Sequence, residues 1–392
     1  MTDGRERPRL VTPRFALVVV CGIFYFLSIG VVLPAVPRFV KDELHGGSIA
    51  VGIAVGSLFV GAVILRPLAG RIGDRYGRKL LVIAGATTVA VSMLGYALAS
   101  SLGQLVAARL LTGLGEAAFF VGAATMITDL APVERRGEAI SYWSVAVYCG
   151  FAFGPALGET VQHHFGYTTL WLTAAGLGFT SAALGCFTRE IEREPNTGPP
   201  QPLINRRALG PGGVLFAGLV ATAAFSAFVP LYVDDVGIND AAVVFVVFGV
   251  LVLLIRVFGA RLPDILGGAV AGTVALVATG AGMLVMALWG TAVGLMTGVV
   301  IFAVGSAFMY PAMLLLALEG STEQDRGSAV GTISSCFDLS QGLGSLIVGA
   351  VAAFTSYQGA FAAGTVGSVI GVVVLWQRVV PRLARRRLAD AA

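Results

Sequence analysis

Histidine, cysteine and lysine are scarce in this 392-residue chain, with 3 histidines, 4 cysteines and Lys41 and Lys79 as the two lysines; charged residues of all kinds make up 12%. These shortages exclude function classes. The histidines (His45, His163, His164) fall outside the apolar runs, and no His, Cys and Asp cluster has metal-ligand spacing, so neither a metal centre nor an acid-base enzyme site is expected. Cys21, Cys149, Cys186 and Cys336 sit inside apolar runs without disulfide spacing and read as small hydrophobes. No Gly-x-x-x-x-Gly-Lys-Ser/Thr stretch occurs, so energy from a nucleotide is not expected. Asparagine is missing from every long apolar run, which disfavours a polar, sugar-type cavity.

Hydrophobic residues, by contrast, reach 56%, with a mean hydropathy of +0.86 and 52 glycines. One soluble core could not hide so much apolar surface, and the bilayer is the expected solvent. Runs of about 20 apolar residues, enough to cross a hydrocarbon layer of about 30 Å, recur along the chain. Twelve spans are predicted: 15–36, 48–68, 80–99, 103–126, 139–160 and 168–187, then 213–233, 240–259, 267–287, 291–317, 329–353 and 358–378. Backbone groups in lipid must be satisfied within the segment, and the runs do not alternate in polarity, so helices are expected rather than barrel strands. The basic head (Arg5, Arg7, Arg9, Arg14) looks like a signal-peptide start, but the following run is too long and lacks a small-x-small site; it reads as a retained helix.

With both termini in the cytoplasm, all but Arg38, Lys41 and Arg109 of the 26 basic residues count to the cytoplasmic side, Arg66, Arg256 and Arg378 among them at the inner ends of their spans, and Arg109 is read as the basic charge deep within a span. The basic balance then reports topology and not nucleic-acid binding. The predominance of arginine, with abundant Ala, Gly and Val, suggests a bacterial source.

Sliding the sequence by 190 positions aligns Arg66 with Arg256, Arg71 with Arg261, Asp74 with Asp264 and Gly77 with Gly267. The same offset pairs Gly115 with Gly305, Arg136 with Arg326 and Gly154 with Gly344. The expected organisation is a tail (1–14), a six-helix bundle (15–188), a charged, proline-rich cytoplasmic linker (189–212), a second bundle (213–378) and a basic tail (379–392). Parallel repeats of this kind are a transporter architecture with a site between the halves.

Three stretches carry a family resemblance. "GRIGDRYGRK" (Gly70 to Lys79) resembles the second-span loop signature of the major facilitator superfamily, "RLLTGLGEAA" (Arg109 to Ala118) its fourth-span motif, and "GFAFGPALGE" (Gly150 to Glu159) its fifth-span antiporter motif. The resemblance implies an all-α membrane fold of twelve helices in two pseudo-symmetric bundles. It also implies a proton-coupled exporter of a small amphipathic or drug-like molecule, with alternating access, no cofactor beyond the proton gradient, a cell-membrane location and function as a monomer. Proton-symport uptake is the alternative, and a transport-inactive sensor is less favoured.

In that frame Gly70, Gly73 and Gly77 supply a tight turn. Asp74, the lone anion among Arg71, Arg75, Arg78 and Lys79, reads as a latch closing the cytoplasmic side, with Asp264, Arg136 and Arg326 as related gate positions. Arg109 and Glu116, about 10 Å apart along one helix, and Asp338 in "SSCFDLSQGLGS" are proton-coupling candidates, because charge at such depth faces a partner or an aqueous cavity. Against this stand static ion pairs and, for Asp338, bonds to Ser334, Ser335 or Gln341. Glu159 reads as a solvated span end, with gating as the minority view. Gly150, Gly154 and Gly158 with Pro155 predict close packing against the symmetry partner of the fifth helix. Tyr25, Phe26, Phe119, Phe120, Tyr148, Phe225, Phe228, Met309 and Tyr310 are the candidate cavity lining by the resemblance, suiting a hydrophobic or cationic substrate.

Overall fold

Among the described residues of the computed structural model (10–132, 135–190, 204–259, 261–319 and 323–383) the apolar runs are helical and no strand occurs. The first half comprises α1 (Pro13–Val31), α2 (Ala35–Asp42), α3 (Ser48–Tyr76), α4 (Arg78–Ala97), α5 (Leu102–Leu130) and α6 (Arg136–Cys186). The second comprises α7 (Leu209–Asp235), α8 (Ala241–Phe258), α9 (Leu262–Leu266), α10 (Gly268–Leu288), α11 (Ala292–Leu318), α12 (Glu323–Phe354) and α13 (Tyr357–Val374). Much of the expected linker, 191–203, and the ends of both tails lie outside the described residues.

Eleven of the described helical stretches are long and apolar enough to cross a membrane. One of them is double. The 51 residues of α6 break at Gly166, whose φ of 79° and ψ of 177° are not helical, so α6 is two rods matching the fifth and sixth expected spans. With α1 and α2 forming one crossing, the fold is twelve transmembrane helices in two pseudo-symmetric six-helix bundles. An even number puts both termini at one end of the bundle, the terminal end; the other is the far end.

The pseudo-symmetry extends to contacts. A Cβ on Gly115 would lie 2.8 Å from the carbonyl oxygen of Gly85, and one on Gly305 would lie 2.6 Å from that of Ala275, the same pair displaced by 190. Likewise Gly154 faces Gly30, and Gly344 faces Val220. In lipid, where apolar burial drives helices together weakly, such close backbone approach supplies the packing.

Two expectations are corrected. The second-span loop is mostly helix, for α3 runs to Tyr76 and includes Gly70 and Gly73; only Gly77, at φ 92°, takes the backbone conformation that favours glycine. Its counterpart Gly267, at φ 79°, does the same between α9 and α10. The N-terminus of α4 is then capped from a distance, because the Glu190 carboxylate accepts from the backbone N–H groups of Arg78 (2.9 Å) and Lys79 (2.8 Å). The glycines of the fifth-span motif do not face a symmetry partner. Gly150, Gly154 and Gly158 receive the backbone of α1 at Phe26, Gly30 and Val31, inside their own half.

Between the halves, α3 packs on α12 and α6 on α8. Gly52 meets Ser345 and Gly349, Gly56 meets Gly342, and Gly249 of α8 meets Ala152. The far end is tied further by Arg38 of α2, which donates from Nε to the Pro230 carbonyl (3.0 Å), pairs with Glu159 and reaches Asp234 at 3.5 Å. This conformation is closed at its far end.

Candidate functional site

Glu116 and Asp338 stand at the midpoints of α5 and α12, where an unpaired carboxylate would be costly. The structure brings them to one cation. Arg66 of α3 donates from Nη2 to Glu116 Oε2 (2.7 Å) and to Asp338 Oδ1 (3.1 Å), and its Nε pairs with Asp338 Oδ2. The three side chains are 9%, 16% and 3% exposed for Arg66, Glu116 and Asp338. The Phe120 ring lies 5.1 Å from the guanidinium, completing the cage on one side.

One guanidinium against two carboxylates leaves a formal charge of −1 when both are ionised. A buried excess charge of this kind is relieved by a proton or a bound cation. The fork of Arg66 also spans two elements of one half and one of the other, so the cluster ties the halves through a single side chain.

Arg66 is absent from the expected site. The charge count assigns it to the cytoplasmic side at the end of the second span, whereas α3 continues for another ten residues and carries Arg66 inside the helix. The usable signal was its alignment with Arg256, since a cation at the same place in both repeats of an apolar chain asks for partners.

Arg109 does not meet Glu116. It is 5% exposed and donates from Nε to the Ala54 carbonyl (2.7 Å) and from Nη2 to that of Val55 (3.0 Å), both on α3. These bonds fasten α5 to α3 within one half.

In the loop signature Arg71, Asp74 and Arg75 are exposed, and Asp74 pairs with Arg78 of its own half at 3.4 Å. Arg78 is buried and pairs with Asp129 of α5, a structural use that the cytoplasmic-retention reading does not foresee. Arg136 is exposed, and the side chains of Asp264 and Arg326 lie outside the described residues. Glu159 is not a solvated end: 11% exposed, it holds Arg38.

The nine candidate lining residues divide. Phe120, Tyr148 and Tyr310 are half-buried and stand by the charged groups: Tyr148 lies under Arg256, its ring centroid 4.7 Å from the guanidinium, and the Tyr310 hydroxyl is 3.0 Å from that of Ser334, one turn before Asp338. The other six are core. Tyr25 stacks on Phe119 at 3.7 Å, beside Phe26 and Trp143; Phe225 packs with Phe245, Phe248 and Phe302, and Phe228 with Tyr357. Met309 fills the space left by Gly218. These rings are consumed by helix packing, where they fill the space between small-residue helices. The Tyr25 hydroxyl, buried without a partner among the described residues, is the exception that keeps a free polar atom.

Comparison with known proteins gives a consistent outcome. The family model described as Major Facilitator Superfamily matches residues 18–324. An uncharacterized MFS-type transporter of Salmonella typhimurium is 28% identical over 363 residues, covering 89% of this chain and 92% of that protein. Multidrug resistance protein 1 of Bacillus subtilis is 28% identical over 253 residues, covering 64% and 61%. Among solved structures, a point mutant of the nucleoside transporter NupG superposes with a TM-score of 0.76 at 13% identity, over 93% of this chain and 99% of that one.

Proposed function

The chain belongs to the Major Facilitator Superfamily, a transporter and not an enzyme, and on that premise we propose that it is a proton-coupled exporter of a small amphipathic organic molecule. The observation that carries the reading is the Arg66, Glu116 and Asp338 cluster, with its excess carboxylate and its reach across both halves.

A proton on Asp338 removes the carboxylate charge that holds Arg66 from the second half and leaves Glu116 to hold it within its own half. The tie between α3 and α12 then weakens, and the halves are freer to rock. Loss of the proton restores the tie. Export is supported by the fifth-span motif, whose glycines fasten the first rod of α6 to α1, and by the likeness to a protein named for multidrug resistance. A cytoplasmic terminal end is supported by a cleft of about 250 Å³ there, lined by Arg206, Arg207, Arg378 and Arg382, which suits an anionic inner leaflet. In that orientation the far-end-closed conformation faces the cytoplasm, Asp74 is released from any latch, and the location is a bacterial plasma membrane. The protein acts as a monomer with no cofactor beyond the gradient.

The test uses everted membrane vesicles energised with a proton gradient and a panel of fluorescent amphipathic compounds. Wild-type protein is expected to accumulate a compound and to discharge the gradient when it is added. Asp338→Asn and Glu116→Gln are expected to bind the compound and exchange it, with gradient-driven accumulation reduced at least tenfold. Accumulation that persists in both variants, or runs with the gradient reversed, contradicts the reading.

A further inference from the structure

At the offset of 190, every partner of Arg66 has a counterpart in the other repeat, and every acid among them is gone. Glu116 corresponds to Ser306, Asp338 to Tyr148, and Phe120 to Tyr310. Arg256 lies in the last turn of α8 with Tyr148 beneath its guanidinium at 4.7 Å, as the repeat requires. One turn earlier, Val252 packs with Ala303 and Ala307 of α11, which bracket Ser306.

The second copy of the cluster therefore keeps its cation and loses both anions. Arg256 makes no ion pair or hydrogen bond with any described residue; its Nε is buried without an acceptor, and so, separately, is the Ser306 hydroxyl. The last-turn position gives Arg256 some support from the helix dipole but leaves those donors empty. A guanidinium with open donors, a free hydroxyl and an aromatic face is the complement of an oxyanion.

We propose that Arg256, Ser306 and Tyr148 form the subsite for the anionic group of the transported molecule, a carboxylate on an amphipathic organic acid. The inference rests on the transport reading above and narrows its substrate class, replacing the cationic preference drawn from composition. The carboxylate takes the bidentate place that Asp338 occupies on Arg66, and Ser306 donates where Glu116 would have stood. The apolar part lies against Tyr148 on one side and against Tyr310 and Phe337, whose ring centroids are 6.2 Å apart, on the other. Charge then balances in both clusters, with a proton neutralising the first and the substrate neutralising the second. The two halves of one ancestral cluster divide the work.

The test measures binding of naphthylacetate, its methyl ester and naphthylmethylammonium to the full-length protein in nanodiscs, by calorimetry. The carboxylate is expected to bind at least tenfold more tightly than the ester or the ammonium. Arg256→Gln is expected to remove that preference, Ser306→Ala to reduce it several-fold, and Arg256→Lys to retain part of it. If Arg256→Gln does not fold, the weakening in Arg256→Lys and Ser306→Ala decides. Equal binding of the ammonium, no carboxylate binding at millimolar concentration, or an unchanged preference in the Arg256 variant overturns the proposal. Carboxylate binding that depends on Arg256, with transport indifferent to the proton gradient, would instead overturn proton coupling and leave this subsite standing.

Discussion

Arg66 on α3 and Asp338 on α12 are joined at two points across the plane between the halves, with Glu116 of α5 holding the same guanidinium from the side. A buried network of this kind is unforgiving of partial removal. Arg66→Ala would strand two carboxylates near mid-membrane, and a loss of about 3–5 kcal/mol is expected. Thermal unfolding in detergent should show it as a much lower melting temperature than in Asp338→Asn or Glu116→Gln. Adding both carboxamide changes to Arg66→Met should restore much of the loss, because the unpaired charges go with their partner.

Arg109 should behave otherwise. Its two bonds to the Ala54 and Val55 carbonyls are charge-assisted and buried, each worth about 1.5–3 kcal/mol. Arg109→Gln is expected to lower the melting temperature, while protein that remains folded keeps the wild-type pH profile of transport. A changed profile without lost stability would return Arg109 to the proton pathway.

The glycines separate by what a methyl group would meet. Gly154→Ala would drive a Cβ into the backbone of Gly30, and Gly113→Ala into that of Leu58, so both should destabilise by about 1–3 kcal/mol. Gly70 lies within α3 with open space around it, and Gly70→Ala should be neutral or slightly stabilising. Chemical-denaturation or melting series on the three variants would check the order.

The sequence made the twelve crossings and the two repeats legible, because helix length and lipid solvation leave few alternatives. It placed Glu116 and Asp338 as buried acids for the same reason. What joins them was not legible, since apolar runs end gradually and Arg66 was counted with the charges of the inner side. Arg109 and Glu116 share a sequence motif, yet the helix turns Arg109 towards α3 backbone and Glu116 towards Arg66. The aromatic lining was over-assigned because the resemblance places a helix beside the cavity without saying which face a ring takes, and Tyr25 is stacked on Phe119.

At the far end, Arg38 gathers Glu159, the Pro230 carbonyl and Asp234 from both halves. Arg38→Gln and Glu159→Gln are each expected to shift the population towards a far-end-open form. Spin labels at the exposed positions Glu43 and Asn239, one in each half, should report a longer distance component in either variant, with little change in melting temperature.

The same label pair tests the central claim, that the Arg66 cluster is a proton-sensitive tie between the halves, without needing a substrate. Distance distributions between positions 43 and 239 would be recorded from alkaline to acidic pH in lipid nanodiscs, for the wild-type protein and for Asp338→Asn. The account predicts that acidification lengthens the wild-type distribution and that Asp338→Asn shows the long component at every pH. A wild-type distribution indifferent to pH, or a pH response left intact by Asp338→Asn, would contradict it.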